Sequence, residues 1–349
     1  MMNYTKILLA LLITTAGYEA NATESAAHAE ETSANVKEVI EQKKEKDPEG
    51  VFSLSVENDS LLNNDSNYTS GVRLSYISPE KVPYWLEKTA NLLPLLSTDG
   101  NKRWGFAAGQ SIFTPNDISL QNPPLTDRPY AGWLYGTATL ISDNTTTLDT
   151  FQITLGMVGP SSLAEQSQDF VHQSRDIQQP QGWDYQLKDE PGIIVSYDRK
   201  WRDLYQTTPF GLGFDITPSA GANLGNVDTS ANVGLMARLG QDLPSDYGPP
   251  LIKPSVSGSD FFEPTKDFGW YFFAGVTGKA VARDIFLDGN TFNNSRSVDK
   301  EILVGGVQGG LVLTFDKVRI AYTQVHKTDE YKTQTEATEY SAINVSYRF

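Results

Sequence analysis

The chain has 349 residues and no cysteine, with 39% hydrophobic and 11% aromatic side chains, a mean hydropathy of −0.36 and a formal net charge of −15. That is too polar for a helical membrane protein, yet apolar enough for a chain that is hydrophobic on alternate residues. The missing cysteines exclude a disulfide framework and a thiolate site, and the acidic balance argues against nucleic acid as a partner and favours divalent cations or surfaces coated with them.

At the N-terminus, Lys6 precedes a short apolar run from Ile7 to about Ala16, and Ala20-Asn21-Ala22 forms an A-x-A cleavage site. Residues 1–22 therefore read as a secretory signal peptide, with the mature chain starting near Thr23. No other run approaches the roughly twenty apolar residues of a spanning helix. Residues 23–49, rich in Ala, Glu and Lys, read as a flexible charged arm without visible chemistry. From Val51 onward the texture changes to short alternating segments between turn residues, and about twelve strands are expected. They fall near 51–58, 68–78, 103–113, 131–142, 147–158, 191–202, 209–220, 228–239, 268–282, 302–315, 317–327 and 337–349. The alternation is clearest in Val72, Leu74 and Tyr76 against Gly71, Arg73 and Ser75. One face suits lipid and the other could line a lumen.

The last segment, Ala342-Ile343-Asn344-Val345-Ser346-Tyr347-Arg348-Phe349, alternates with period two and stops on a phenylalanine. It resembles the closing strand of a bacterial outer-membrane β-barrel and the signal read by the barrel assembly machinery. In hydrocarbon every backbone amide must be paired within the protein, so spanning strands have to close. Residues 50–349 are thus expected to be all-β, a transmembrane antiparallel β-barrel among the outer-membrane lipids of a Gram-negative cell. With an even strand count and both ends in the periplasm, the exterior connections are about 59–67, 114–130, 159–190, 221–227, 283–301 and 328–336. The opposite connections include short turns at Asp143-Asn144-Thr145 and Phe315-Asp316-Lys317. Two others, 79–102 and 240–267, are too long for plain turns, and the first has room for a small helix around Trp85 to Leu95.

Three blocks stand on the exterior connections: Val56-Glu57-Asn58-Asp59-Ser60 with Asn67-Tyr68-Thr69-Ser70-Gly71; Asp127-Arg128-Pro129-Tyr130-Ala131-Gly132-Trp133; and Gly159-Pro160-Ser161-Ser162 through Gln168, His172 and Gly182-Trp183-Asp184 to Glu190-Pro191. Together with Ala282-Arg283-Asp284-Ile285-Phe286-Leu287-Asp288-Gly289-Asn290, they make the chain from Phe52 to Phe349 resemble the outer-membrane lipid A 3'-O-deacylases of LpxR type. The resemblance implies a twelve-stranded barrel and calcium-dependent hydrolysis of the ester-linked acyloxyacyl group at the 3' position of lipid A. The partners it implies are lipopolysaccharide as substrate and Ca²⁺ as cofactor.

Of the three histidines, His28 lies in the arm and His326 ends a strand with no motif around it, which leaves His172 as the credible imidazole base. The resemblance places the family's catalytic histidine there; the competing reading is a surface-loop histidine. Gln168 shares the face of His172 if the stretch is helical, and would orient base or substrate. Asn58, Asp59 and Ser60, close to Asp65, offer oxygen ligands of mixed charge suited to Ca²⁺, though not in the pattern of an EF-hand. Thr69 has the inward parity of Arg73 and Ser75 beside that corner. Arg128 is the cation expected near developing negative charge on an oxyanion or on a phosphorylated sugar, against a salt bridge to Asp127 or another loop carboxylate. No G-x-S-x-G is present, so a water nucleophile activated by His172 is preferred to a serine. The alternatives are a phospholipase-type esterase, or a non-catalytic porin or adhesin. Small or apolar inward residues such as Gly306, Gly310 and Val312 favour a filled barrel over a pore.

Overall fold

Along β1 (Val51–Asn58) the exposed side chains are Phe52, Leu54 and Val56, and beyond Val51 at its start the buried ones are Ser53, Ser55 and Glu57. A sheet of a soluble protein shows the reverse, so the wall is built for an apolar solvent outside and a polar interior. The same inversion recurs where Leu74 and Val72 are exposed and Arg73 and Ser75 buried.

The computed structural model describes residues 46–59, 67–93, 95–144, 146–202, 205–252 and 259–349. The signal peptide, the arm over 23–45, Ser60 and Asp65 lie outside the described residues. The strands are β1, β2 (Asn67–Ile77), β3 (Asn101–Thr114), β4 (Ala131–Asp143), β5 (Thr147–Val158), β6 (Glu190–Trp201), β7 (Tyr205–Thr207), β8 (Gly213–Gly225), β9 (Asp228–Gln241), β10 (Phe268–Asp284), β11 (Leu303–Phe315), β12 (Val318–Lys327) and β13 (Thr338–Arg348). Sequence neighbours pair antiparallel except β6 and β7, β1 pairs with β13, and β6 pairs with β8. Three-residue β7 merely continues the edge of β6 along β8, so twelve strands close the barrel. No described helix is long and apolar enough to cross a membrane.

Val51 pairs with Arg348, so both ends of the barrel share one rim, which also carries the tight turns at Asn144 and Asp316 and is the periplasmic rim of such a barrel. An aromatic girdle marks it. Phe349 stacks on Phe52 with ring centroids 5.1 Å apart, Tyr76 meets Trp104 at 5.5 Å, and Phe268 meets Phe315 at 5.1 Å. Gly50 and Phe349 also exchange backbone bonds of 3.2 and 3.3 Å. Deleting Phe349 is expected to lower the amount of heat-modifiable protein in outer-membrane fractions more than activity per inserted molecule. Wild-type insertion would show that the terminal residue is dispensable.

Three stretches differ from the expectation. The strand placed at 209–220 runs instead over Gly213–Gly225, because Pro209 lacks an amide donor and Phe210 and Gly211 adopt φ of 55° and 78°. The exterior loop expected at 221–227 therefore shrinks to the two residues between β8 and β9. Lys46 to Glu49, expected in the arm, belong with the barrel unit Lys46–Phe349. Asp47 is buried there, 2.6 Å from Arg103 and 2.9 Å from Arg348.

The long connection between β9 and β10 is the third, and it folds into the lumen. Its carboxylates meet inward arginines of the wall: Arg73 grips Asp260 in a two-pronged pair of 2.8 and 2.7 Å, and Arg103 reaches Glu263 at 2.7 Å. Asp246 sits between Arg238 and Arg319, each 2.8 Å away. Phe261 and Phe262 are buried under Arg103 and Arg319. The barrel is filled at this end, as the small inward residues of β11 suggested.

Candidate functional site

At the opposite rim the connection between β5 and β6 turns sharply and lays a helix, α2 (Ala164–Arg175), against the outer ends of β3 and β4. Gly159, at φ 96°, lets the chain turn back after β5, and Leu163 at φ 59° starts the helix. Gly132 permits the close approach, since a Cβ there would lie 2.0 Å from Ser162 Oγ and 2.3 Å from the Ala164 Cβ. Two bonds of 2.7 Å from Ser161 to Asp189 tie the turn to the returning chain.

On α2 the buried residues are Ala164, Gln168 and His172, spaced by four and so on one face, whereas Phe170 and Val171 are exposed. Ala164 packs with Ile112, Ile118, Tyr130 and Trp183. Trp183 Nε1 donates to Gln168 Oε1 at 2.9 Å, and its ring lies 4.8 Å from that of Tyr130. The helix ends at Asp176 in a left-handed conformation, which turns the chain so that the Gln178 carbonyl reaches His172 Nδ1 in a short hydrogen bond. A carbonyl can only accept, so Nδ1 carries the hydrogen and Nε2 is the basic nitrogen.

The β1–β2 corner is adjacent in the fold through β3. Asn58 Nδ2 and the Asp59 amide both donate to the Thr69 carbonyl, at 3.2 and 3.3 Å. Thr69 Oγ1 lies 2.6 Å from Thr114 Oγ1, at the end of the strand whose Ile112 packs under α2. Asp59 and Thr69 are both buried. The alternation that predicted an inward Thr69 breaks at a β-bulge between Tyr68 and Ser70, so that Tyr68 lines the interior pocket and Thr69 meets Thr114, a neighbour that the sequence did not flag.

Arg128 takes a different position. Its guanidinium is buried, 5.0 Å above the Phe113 ring and 3.6 Å from Glu330, and lines an interior pocket with Glu57, Tyr68, Lys327 and Asp284. Asp127 meets Arg128 through the backbone amide at 2.8 Å, and the same carboxylate accepts from Asn116 N at 2.9 Å and Tyr331 OH at 2.7 Å, joining two rim loops. Burial pushes the Glu330 carboxyl up, but the charges of Lys327 and Arg128 and the Thr338 hydroxyl outweigh it and hold the group at about 2. A depressed carboxylate contributes stability that is present above its ordinary value of 4.5 and lost as the pH falls through about 2. Hydrogen-exchange protection of 328–337 should therefore persist to about pH 5. Loss already at that pH would contradict the pairing.

His326, by contrast, makes an exposed pair with Glu339 at 2.7 Å. Among the described residues no three His, Cys, Asp or Glu side chains converge as a metal cluster.

The family described as "Outer membrane protein LpxR" matches residues 7–349. The chain belongs to the LpxR family. Among solved structures, LpxR from Salmonella typhimurium is similar at a TM-score of 0.69 with 18% identity, over 85% of this chain and 99% of that one. The β-domain of the Bordetella autotransporter BrkA reaches 0.40 at 8% identity, over 87% of this chain and 98% of its own. No curated protein matches the sequence. LpxR membership makes the chain an outer-membrane barrel of the lipid A deacylase family. The LpxR barrel of Salmonella supports the same twelve-stranded closure.

Proposed function

We propose that the protein is a lipid A 3'-O-deacylase, a carboxylic ester hydrolase that removes the 3'-acyloxyacyl group from lipopolysaccharide at the exterior rim. The observation that carries this reading is His172, a buried imidazole whose Nδ1–H is fixed on the Gln178 carbonyl, on the same helix face as Gln168. Nε2 would take the proton of an attacking water and return it to the departing alkoxide of the sugar. Gln168, held by the Trp183 indole, positions the helix face and the base on it. Arg128, paired with Glu330 in the cavity, is better placed to meet a phosphorylated sugar than to touch the reacting ester.

The donors at the β1–β2 corner fit a hard cation: the Asp59 carboxylate with the neutral oxygens of Asn58, Thr69 and Thr114, and no sulfur. Asp59, Asn58 and Ser60 would hold Ca²⁺ there, and the ion would supply polarisation of the ester carbonyl. Chelation is expected to abolish hydrolysis and leave the barrel folded, since the ion would polarise an ester and backbone pairing holds the strands. Asp59→Ala should mimic chelation. Asp288→Ala should do less, because Asp288 serves the rim locally, accepting from Asp284 N and pairing with Lys300. Equal losses would move the ion away from Asp59.

Mass spectrometry of lipid A from cells with and without the protein tests the reaction and its position together. Loss of an intact 3'-acyloxyacyl unit is the expected result. Unchanged lipid A together with hydrolysed phospholipid would favour a phospholipase. The C-terminal strand ending at Phe349 completes the proposal as the element that the barrel assembly machinery engages.

A further inference from the structure

The connection between β2 and β3 does not hang below the barrel; it lies on the outside of the wall. Leu140, Phe151 and Tyr197 form one cross-strand row with Trp104, and Ile153 and Leu155, on the same face as Phe151, are exposed as lipid-facing residues are. Yet Leu140 is buried, because Ala90, Leu93 and Leu96 of the connection pack over it. This row continues the aromatic girdle of β1–β3, so the connection covers the girdle where the wall would otherwise meet the membrane interface.

The cover is fastened by polar bonds that have no other reason to stand on an outer wall. Asp149 points outward and is fully buried, accepting from Ser97 N at 2.9 Å and Ser97 Oγ at 2.7 Å, from Tyr197 OH at 2.8 Å and from Arg199 Nε at 2.5 Å. Tyr197 OH also lies 2.9 Å from the Leu95 carbonyl, and Lys102 Nζ donates to the Ser97 carbonyl at 2.7 Å. An outward carboxylate is costly at a lipid surface unless enclosed and paired, and here it is both.

With its inner side so held, the short helix α1 (Tyr84–Ala90) and the turn after it present the other side outward. Tyr84 is 81% exposed, Trp85 67% and Leu92 75%, with Lys81 and Lys88 exposed beside them. We infer that this segment is a membrane-interface anchor, seated in the headgroup region of the phospholipid leaflet at the periplasmic rim. Its aromatic rings take the place of the girdle residues it covers, and its lysines meet the phosphates. The occupant follows from continuity: the outward-facing girdle of Tyr76, Trp104 and Phe106 runs directly into it.

The chain has no cysteine, so Trp85→Cys or Leu92→Cys gives a single labelling site at an exposed position. Each variant, carrying an environment-sensitive fluorophore, is refolded into phosphatidylethanolamine–phosphatidylglycerol vesicles and checked for a heat-dependent gel shift. Lys332→Cys on the opposite rim is the water-exposed reference. The expected result is several-fold weaker quenching by iodide at 85 and 92 than at 332, with strong quenching by lipids nitroxide-labelled near the headgroup. Iodide quenching equal to that at 332 would overturn the anchor. So would protection from both quenchers, which would mean that a second copy of the chain covers the segment.

Discussion

His172→Asn should reduce turnover by roughly a hundred to ten-thousandfold, the usual cost of removing a general base. Asparagine keeps a hydrogen-bonding side chain but supplies no ring nitrogen able to accept the proton. His172 is buried at the rim on a helix whose other anchors, Ala164 packing and the Gln168–Trp183 bond, do not involve it. The barrel should therefore stay folded and bind substrate, with the loss confined to the chemical step. Release of 3'-linked acyl chains from purified lipopolysaccharide across a pH series measures it. His326→Asn is the matched control, and because its pair with Glu339 is solvent-exposed it should be silent. Retention of more than about a tenth of the wild-type rate with an unchanged pH profile would rule out the base.

Asp246→Ala should be the most destabilising single change in the lumen, costing about 3–5 kcal/mol. Asp246 accepts from Arg238, Arg319, Gly248 N and Tyr271 OH, and Asp215 is the second carboxylate on Arg238. Two carboxylates thus balance two guanidinium groups with all of them buried. Removing Asp246 leaves Arg319 without a carboxylate, and a buried uncompensated charge costs far more than the intact pair contributes. Urea unfolding in lipid vesicles, followed by the gel shift, gives the midpoint change. The double substitution Asp246→Ala/Arg319→Met should recover part of it, since it removes the orphaned charge. A double variant as unstable as the sum of the single ones would show that charge balance is not what Asp246 provides.

Where one side of a strand meets lipid, the sequence states the fold openly. Phe52, Leu54 and Val56 against Ser53, Ser55 and Glu57 can only be the wall of an inverted barrel, and the ends of β1, β5 and β12 follow from such alternation to within a residue. The 242–267 connection was opaque for the opposite reason. Its Asp246, Asp260 and Glu263 have no period, and their arginine partners are dispersed over β2, β3, β9 and β12, each looking like an ordinary inward polar residue. At the site, the spacing of Gln168 and His172 already implied a shared face. The contributions of Trp183, Thr114 and the Gln178 carbonyl were not legible, because each depends on a contact between segments far apart in the chain. Arg128 was read as a cation for an oxyanion or a phosphorylated sugar, against a salt bridge to Asp127 or another loop carboxylate; its guanidinium lies towards one such carboxylate, Glu330, 202 positions along by the numbering.

The lumenal connection also ties distant parts of the wall together. It enters from the periplasmic rim, where it joins β9 to β10, and meets strands that lie far apart around the ring closed by the β1–β13 pairing. Its ion pairs reach back to Arg73 and Arg103 on strands made early and forward to Arg319 on a strand made late. Strands from opposite ends of the chain are thus held by salt links across the interior as well as by backbone pairing around the wall. The connection is an internal strut, and a chain that lost those links would keep its curvature by strand pairing alone.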